Sequence, residues 1–115
     1  MLSMIVHQGQ IWAWHVEYAV SWSARMRGLL GRSTLGDDTA MVIRRCGAVH
    51  TVGMKFAIDV VFIDKVGRIV RIMGNVRPGQ FYVWGGWHAA HVVESASGKL
   101  DLNRLTLGDT LEMQP

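Results

Sequence analysis

The sequence predicts a mostly β protein: a compact antiparallel β-sandwich or open barrel with one short helix near residues 23-31. Three observations carry that expectation. Short runs of β-branched and aromatic residues recur along the chain, and turn signals such as Arg77-Pro78-Gly79, Gly85-Gly86 and Gly108-Asp109 punctuate them. Only Ser23 to Arg32 shows helical spacing. The frame is His50 to Val70, where an apolar run with Asp59 in its middle meets a tight turn and resumes.

Composition sets the outer limits. A chain of 115 residues reads as a single domain, residues 1-115, able to bury a core without disulfides or metal. Half the residues are apolar and 18% are charged, which is globular rather than disordered composition. Cys46 is the lone cysteine, so no internal disulfide can form. No apolar run reaches the ~18 residues of a membrane span, and the first residues lack the pattern of a secretory signal. The expected location is therefore cytoplasmic.

Taking the elements in order, Gln10 to Tyr18 alternates, placing Trp12, Trp14, Val16 and Tyr18 on one side. It reads as one strand with the tryptophan face inward; the residues before it form a short strand or a tail. Ser23 suits a helix N-cap and Gly31 a C-terminal stop. Met26, Leu29 and Leu30 share a helix face, and Ser33 to Thr39 is a polar loop. Ala40 to Arg44 is a short strand. From His50 to Ile63, Met54, Phe56, Ile58, Val60 and Phe62 share one strand face, and Lys55, Ala57, Asp59, Val61 and Ile63 the other. Both faces are largely apolar, so this strand is covered on both sides. Asp64 to Gly67 is a hairpin loop and Arg68 to Met73 its return strand. Phe81 to Trp84 and Trp87 to Ser95 are further strands. Leu100 to Leu107 is ambiguous in period, and Thr110 to Met113 closes the chain.

Ser23 to Arg32, His50 to Asp64 with the following Gly67, and the closing Glu94, Gly98 and Gly108-Asp109-Thr110-Leu111 together resemble the bacterial and archaeal family called domain of unknown function 192. The resemblance spans about residues 10-113. It implies a compact, mostly antiparallel β-sandwich or barrel with a short helix near its start, and it brings no established activity, substrate or catalytic set. Two departures stand out: Ala57-Ile58 where relatives usually have a proline before the central Asp, and the Trp84-Gly85-Gly86-Trp87 insert.

Candidate chemistry falls on few residues. Asp59 sits between apolar neighbours, where an ionised carboxylate needs a partner. Arg25 and Arg32 are the expected partners in a structural helix-to-sheet ion pair. The competing reading makes Asp59 a general acid or base, with His50 and a helix arginine completing a catalytic set. Cys46 and His50 are four residues apart, which is weak ground for a nucleophile pair, and a small buried thiol is the simpler reading. His88, His91 and Glu94 would converge on a helix, but in a strand His91 faces away from the other two, so no metal is expected. Trp84 and Trp87 flank the flexible pair Gly85-Gly86 and, with His88, read as a loop-tip platform for a ligand.

Nine Arg and three Lys stand against nine acids, and eight of the arginines form three groups: Arg25, Arg27 and Arg32; Arg44 and Arg45; Arg68, Arg71 and Arg77. Nucleic-acid binding would require such groups to converge on one face with aromatics between them; ordinary solvated charge is the simpler reading. The preferred function is thus a non-catalytic module for a small ligand or protein partner, without a cofactor. A small hydrolase or lyase using Asp59, His50 and a helix arginine is the alternative, and nucleic-acid binding the third.

Overall fold

In the computed structural model of the chain, residues 3–19 and 29–115 are described. Their strands are β1 (Met4–His7), β2 (Gln10–Ala13), β3 (His15–Ala19), β4 (Thr39–Arg44), β5 (Ala48–Val49), β6 (Ile58–Ile63), β7 (Ile69–Val76), β8 (Val83–Trp84), β9 (His91–Ala96) and β10 (Leu111–Gln114). A 3-10 turn at Leu102–Arg104 lies in the leucine-rich piece. The protein is mostly β, as expected, and its sheets remain open rather than closing into a barrel. Of the expected helix, Leu29 and Leu30 have helical backbone, and residues 23–28 lie outside the described residues.

The central layer is a five-stranded sheet in the order β3-β4-β9-β6-β7. Its two faces follow from the alternation in β6. Ile58, Val60 and Phe62 join Met41, Ile43, Val92, Leu29, Leu35, Val49 and Val83 in one core. Val61 and Ile63 join Ala40, Val42, Val93, Ile5, Trp12 and Leu111 in the other. A two-stranded β5-β8 ribbon contributes to covering the first face, and a β10-β1-β2 sheet covers the second. Burial on both sides explains why β6 carries almost no polar residue.

The hairpin after β6 forms as the sequence predicts. The Asp64 carboxylate accepts the Val66 and Arg68 amides at 3.0 and 2.9 Å. Gly67 has φ of 90°, and a Cβ there would stand 2.9 Å from the Leu111 carbonyl oxygen, so only glycine fits.

Two expectations are corrected. The strand read over residues 10–18 is two strands in different sheets, broken at Trp14. The amides of Trp14 and His15 both donate to the Asp38 carbonyl, at 3.0 and 3.1 Å. That bend buries Trp12 and Ala13 side by side and leaves Trp14 and Tyr18 exposed, so of the expected inward face Trp12 is buried and Val16 packs partly buried against the same core. β3 then runs parallel to β4, giving a mixed rather than purely antiparallel sheet. The second correction concerns the start of β6, which lies at Ile58 rather than His50. Residues 50–57 are irregular because Thr51 and Gly53, with φ of 85°, turn the chain there.

Candidate functional site

The most exposed aromatic side chains of the described residues, Trp87, Phe81 and Tyr82, flank the β5-β8 ribbon. Val83 pairs with Val49 and Trp84 with Ala48, and the Gly85 amide extends the ladder to the Gly47 carbonyl at 2.9 Å. Gly85 itself is buried against Phe62: a Cβ there would lie 2.3 Å from two ring carbons and 2.7 Å from Ala89. Gly86, with φ of 97°, starts a turn closed by the Ala89 amide on its carbonyl. Trp87 stands on that turn, 90% exposed, and meets Trp84 edge to face with ring centres 5.0 Å apart. Gly85 therefore anchors the backbone between the two rings against the core.

The loop before β8 is tied down by Thr51, which is wholly buried. Its hydroxyl donates to the Arg77 carbonyl at 2.7 Å and accepts the Gln80 amide at 2.9 Å. Its backbone carbonyl receives the Gly79 amide. Beyond that clamp, Phe81 and Tyr82 are exposed.

A depression of about 390 Å³ lies between Trp87 and the β6–β7 hairpin, lined by Asp64, Lys65, Val66, Arg68, Trp87 and His88 together with Ala89 and Ala90. Lys65 also borders a smaller depression of about 150 Å³ that includes Arg44 and His91. Arg44 lies over the Tyr18 ring at 5.5 Å. The Arg45 amide donates to His91 Nδ1 at 3.0 Å. Burial, then the charges of Arg44 and Arg45, push the His91 pKa below its ordinary value, so the ring is neutral at neutral pH. At Asp64, desolvation opposes ionisation, but the Arg68 and Val66 amides and the Arg68 charge outweigh it and hold the carboxyl below its usual range.

The model of the family domain of unknown function 192 (DUF192), described as "Uncharacterized ACR", matches residues 4–113. The chain belongs to this family. Two solved structures are similar to it. One, from Novosphingobium aromaticivorans and described as a protein of unknown function, is 20% identical with a TM-score of 0.79, covering 96% of this chain and 82% of that one. The other, from Sinorhizobium meliloti and described as "a putative transcription regulator", is 25% identical with a TM-score of 0.77, covering 96% of this chain and 91% of that one. No curated protein matches the chain.

In this DUF192 chain the motif residues mostly secure backbone. Asp59, 4% exposed, accepts the Asn75 amide at 2.8 Å and the Gly98 amide at 3.0 Å. The expected ion pair with Arg32 is not formed, because Arg32 makes a two-pronged contact with Glu17 at 2.9 and 2.7 Å. That contact holds the Glu17 carboxyl below, and the Arg32 guanidinium above, their ordinary pKa values. Arg25 lies outside the described residues. Asp59 borders an open depression with Asn75, Ser97 and Asn103, and His50 is not among its lining residues. His50 Nδ1 instead accepts the Val52 amide at 3.2 Å, and Cys46 Sγ contacts the Ala48 carbonyl at 3.0 Å. His91 and Glu94 lie on opposite faces of β9, with Glu94 fully buried, and His88 sits in the turn before it. Among the described residues no group of His, Cys, Asp or Glu has the arrangement of a metal site.

Sequence reasoning missed the contact between His7 Nε2 and Asp109 at 2.8 Å, made across 102 residues. The side chain of His7 is buried, and Asp109 also accepts the Thr106 amide. The signals were present, since His7 ends a short apolar strand and Asp109 follows a turn glycine, but nothing local joins them. No helix among the described residues is long and apolar enough to cross a membrane.

Proposed function

We propose that this chain is a non-catalytic binding module whose ligand docks on the Trp84–Trp87 corner and the depression beside it. One observation carries the reading: Trp87 is 90% exposed, meets Trp84 edge to face, and stands two residues after Gly85, which is packed against Phe62 of the core. A large apolar ring left in water on an anchored backbone is typical of an anchor for a partner. Preorganisation spares the ligand the entropy of ordering those rings.

The hydrolase or lyase alternative finds less support. Both Asp59 oxygens accept backbone amides, which suits a carboxylate that stabilises structure. The description of the Sinorhizobium meliloti protein supports including nucleic acids among the ligands tested. A reducing, cytoplasmic setting suits a chain with one cysteine, Cys46.

The test is a thermal-shift screen of metabolites, sugars, peptides and oligonucleotides against the wild type and Trp87→Ala. Hits that stabilise the wild type and lose their effect in Trp87→Ala are expected. Hits that stabilise both proteins equally place binding elsewhere and defeat the reading.

A further inference from the structure

The aromatic corner stands inside a collar of positive charge, and we propose that its ligand is a single-stranded nucleic acid, bases stacking on Trp87 and phosphates meeting Lys65, Arg68 and Arg44. This rests on the binding-module reading and names the ligand of that same site.

The charge balance is one-sided. The depression beside Trp87 contains Lys65 and Arg68, with Asp64 its one acid. Asp64 is already engaged by two backbone amides and by Arg68 Nε at 3.3 Å. Through Lys65 the surface continues to Arg44 and His91. Among the described residues no carboxylate pairs with Lys65, Arg44 or Arg45. Lys65 and Arg44, cations without a carboxylate partner, near an exposed ring present both halves of a nucleotide's chemistry: a π-face for the base and positive charge for the phosphate. His91 adds a neutral donor: its Nδ1 accepts from Arg45, which leaves the ring proton on Nε2.

The topology explains why these groups meet. β4 and β6 both end at this edge of the sheet, where antiparallel β9 begins, with His91 paired to Arg44 on one side and Ile63 on the other. The hairpin after Ile63 brings Lys65 and Arg68, and the turn before His91 brings Trp87 and His88. Arg44 and Arg68 therefore border two depressions that share Lys65. Arg32 is held by Glu17 and takes no part.

Geometry favours an unpaired strand over other polyanions. A ring that is 90% exposed can stack on a base only if that base is free of its own duplex neighbours. Trp87, braced edge to face by Trp84, walls one side of the depression and the hairpin residues the other, which suits an inserted base better than the surface of an anionic bilayer.

The test is fluorescence anisotropy with labelled single-stranded DNA and RNA oligonucleotides, their duplex, and anionic phospholipid vesicles, between about 50 and 200 mM salt. Single strands should bind more tightly than duplex and vesicles, with affinity falling linearly in log–log form as salt rises. Trp87→Ala should weaken binding about tenfold. Lys65→Glu and Arg44→Glu should each flatten the salt dependence by roughly 0.7 in slope. All three positions are at the surface, and circular dichroism verifies that the variants stay folded. No single-strand binding at low salt, binding indifferent to Trp87, or a preference for vesicles or duplex overturns the proposal. Neutral oligosaccharides and uncharged peptides titrated in parallel separate the two levels. Trp87-dependent binding there, without oligonucleotide binding, overturns the nucleic-acid ligand and keeps the module; no Trp87-dependent ligand of any class removes both.

Discussion

Gly85 lies against the ring of Phe62 so closely that any side chain at residue 85 would overlap it, with a Cβ 2.3 Å from two ring carbons. This contact joins the aromatic corner to the central strand, because Phe62 is fully buried in β6 and Trp84 and Trp87 flank Gly85 and Gly86. Gly85→Ala should therefore destabilise the protein by about 1–3 kcal/mol and displace both rings. Phe62→Leu in the same chain should recover part of that loss, a coupling that a double-mutant cycle in urea measures directly. Additive effects would show that the contact is looser than described.

Asp59 predicts a different loss. Its carboxylate satisfies the amides of Asn75 and Gly98, across 16 and 39 residues of chain. Asp59→Ala leaves both donors without that partner and should cost about 1–3 kcal/mol in urea denaturation. An unchanged unfolding midpoint would mean that water replaces the carboxylate at no loss.

The Arg32–Glu17 contact should matter little. Both side chains are about two-fifths exposed, so Arg32→Ala is expected to cost under about 1 kcal/mol, and less at high salt. A larger loss would point to a role for Arg32 beyond this pair.

Acid sensitivity follows from carboxyls held below their usual range, Asp109 and Glu17 as well as Asp64. At Asp109 the cause is the His7 hydrogen bond, supported by the Thr106 amide; at Glu17 it is the Arg32 hydrogen bond. A carboxyl depressed in the folded state stabilises fully above its unfolded pKa, and that contribution is lost as pH falls through the folded value. The melting temperature should accordingly drop below about pH 4. Asp109→Asn should start lower at neutral pH and show a flatter acid limb. Parallel pH curves for the two proteins would remove His7–Asp109 from the account.

His91 gives a readout of the positive edge. Its imidazole should titrate by NMR below the ordinary histidine value, and Arg44→Ala with Arg45→Ala should raise the midpoint only partway, because burial is the larger cause. Full restoration would mean that charge, not burial, dominates.

How far these features could be read from the chain depends on whether their causes are local. Both faces of β6 are apolar in the sequence, and the two cores meet there as expected. The Asp64–Gly67 turn needs only its own residues, and it forms. The break at Trp14 was hidden, because the Asp38 carbonyl that bends the chain lies more than twenty residues away and the alternation runs through the bend undisturbed. Asp59 was legible as a buried acid needing partners, but its partners are backbone amides brought by folding, which composition cannot show. Trp84 and Trp87 were legible as exposed aromatics. Gly85-Gly86 read as flexible, because the close approach of Phe62 is visible only in three dimensions.

The most direct test of the binding surface is to follow the indole N–H resonances of the five tryptophans while a ligand is titrated. The account predicts that the Trp84 and Trp87 signals shift in step with occupancy and that of buried Trp12, whose N–H is committed to the Asp101 carbonyl at 2.9 Å, stays fixed. Saturable binding that leaves the Trp84 and Trp87 signals unmoved would contradict it.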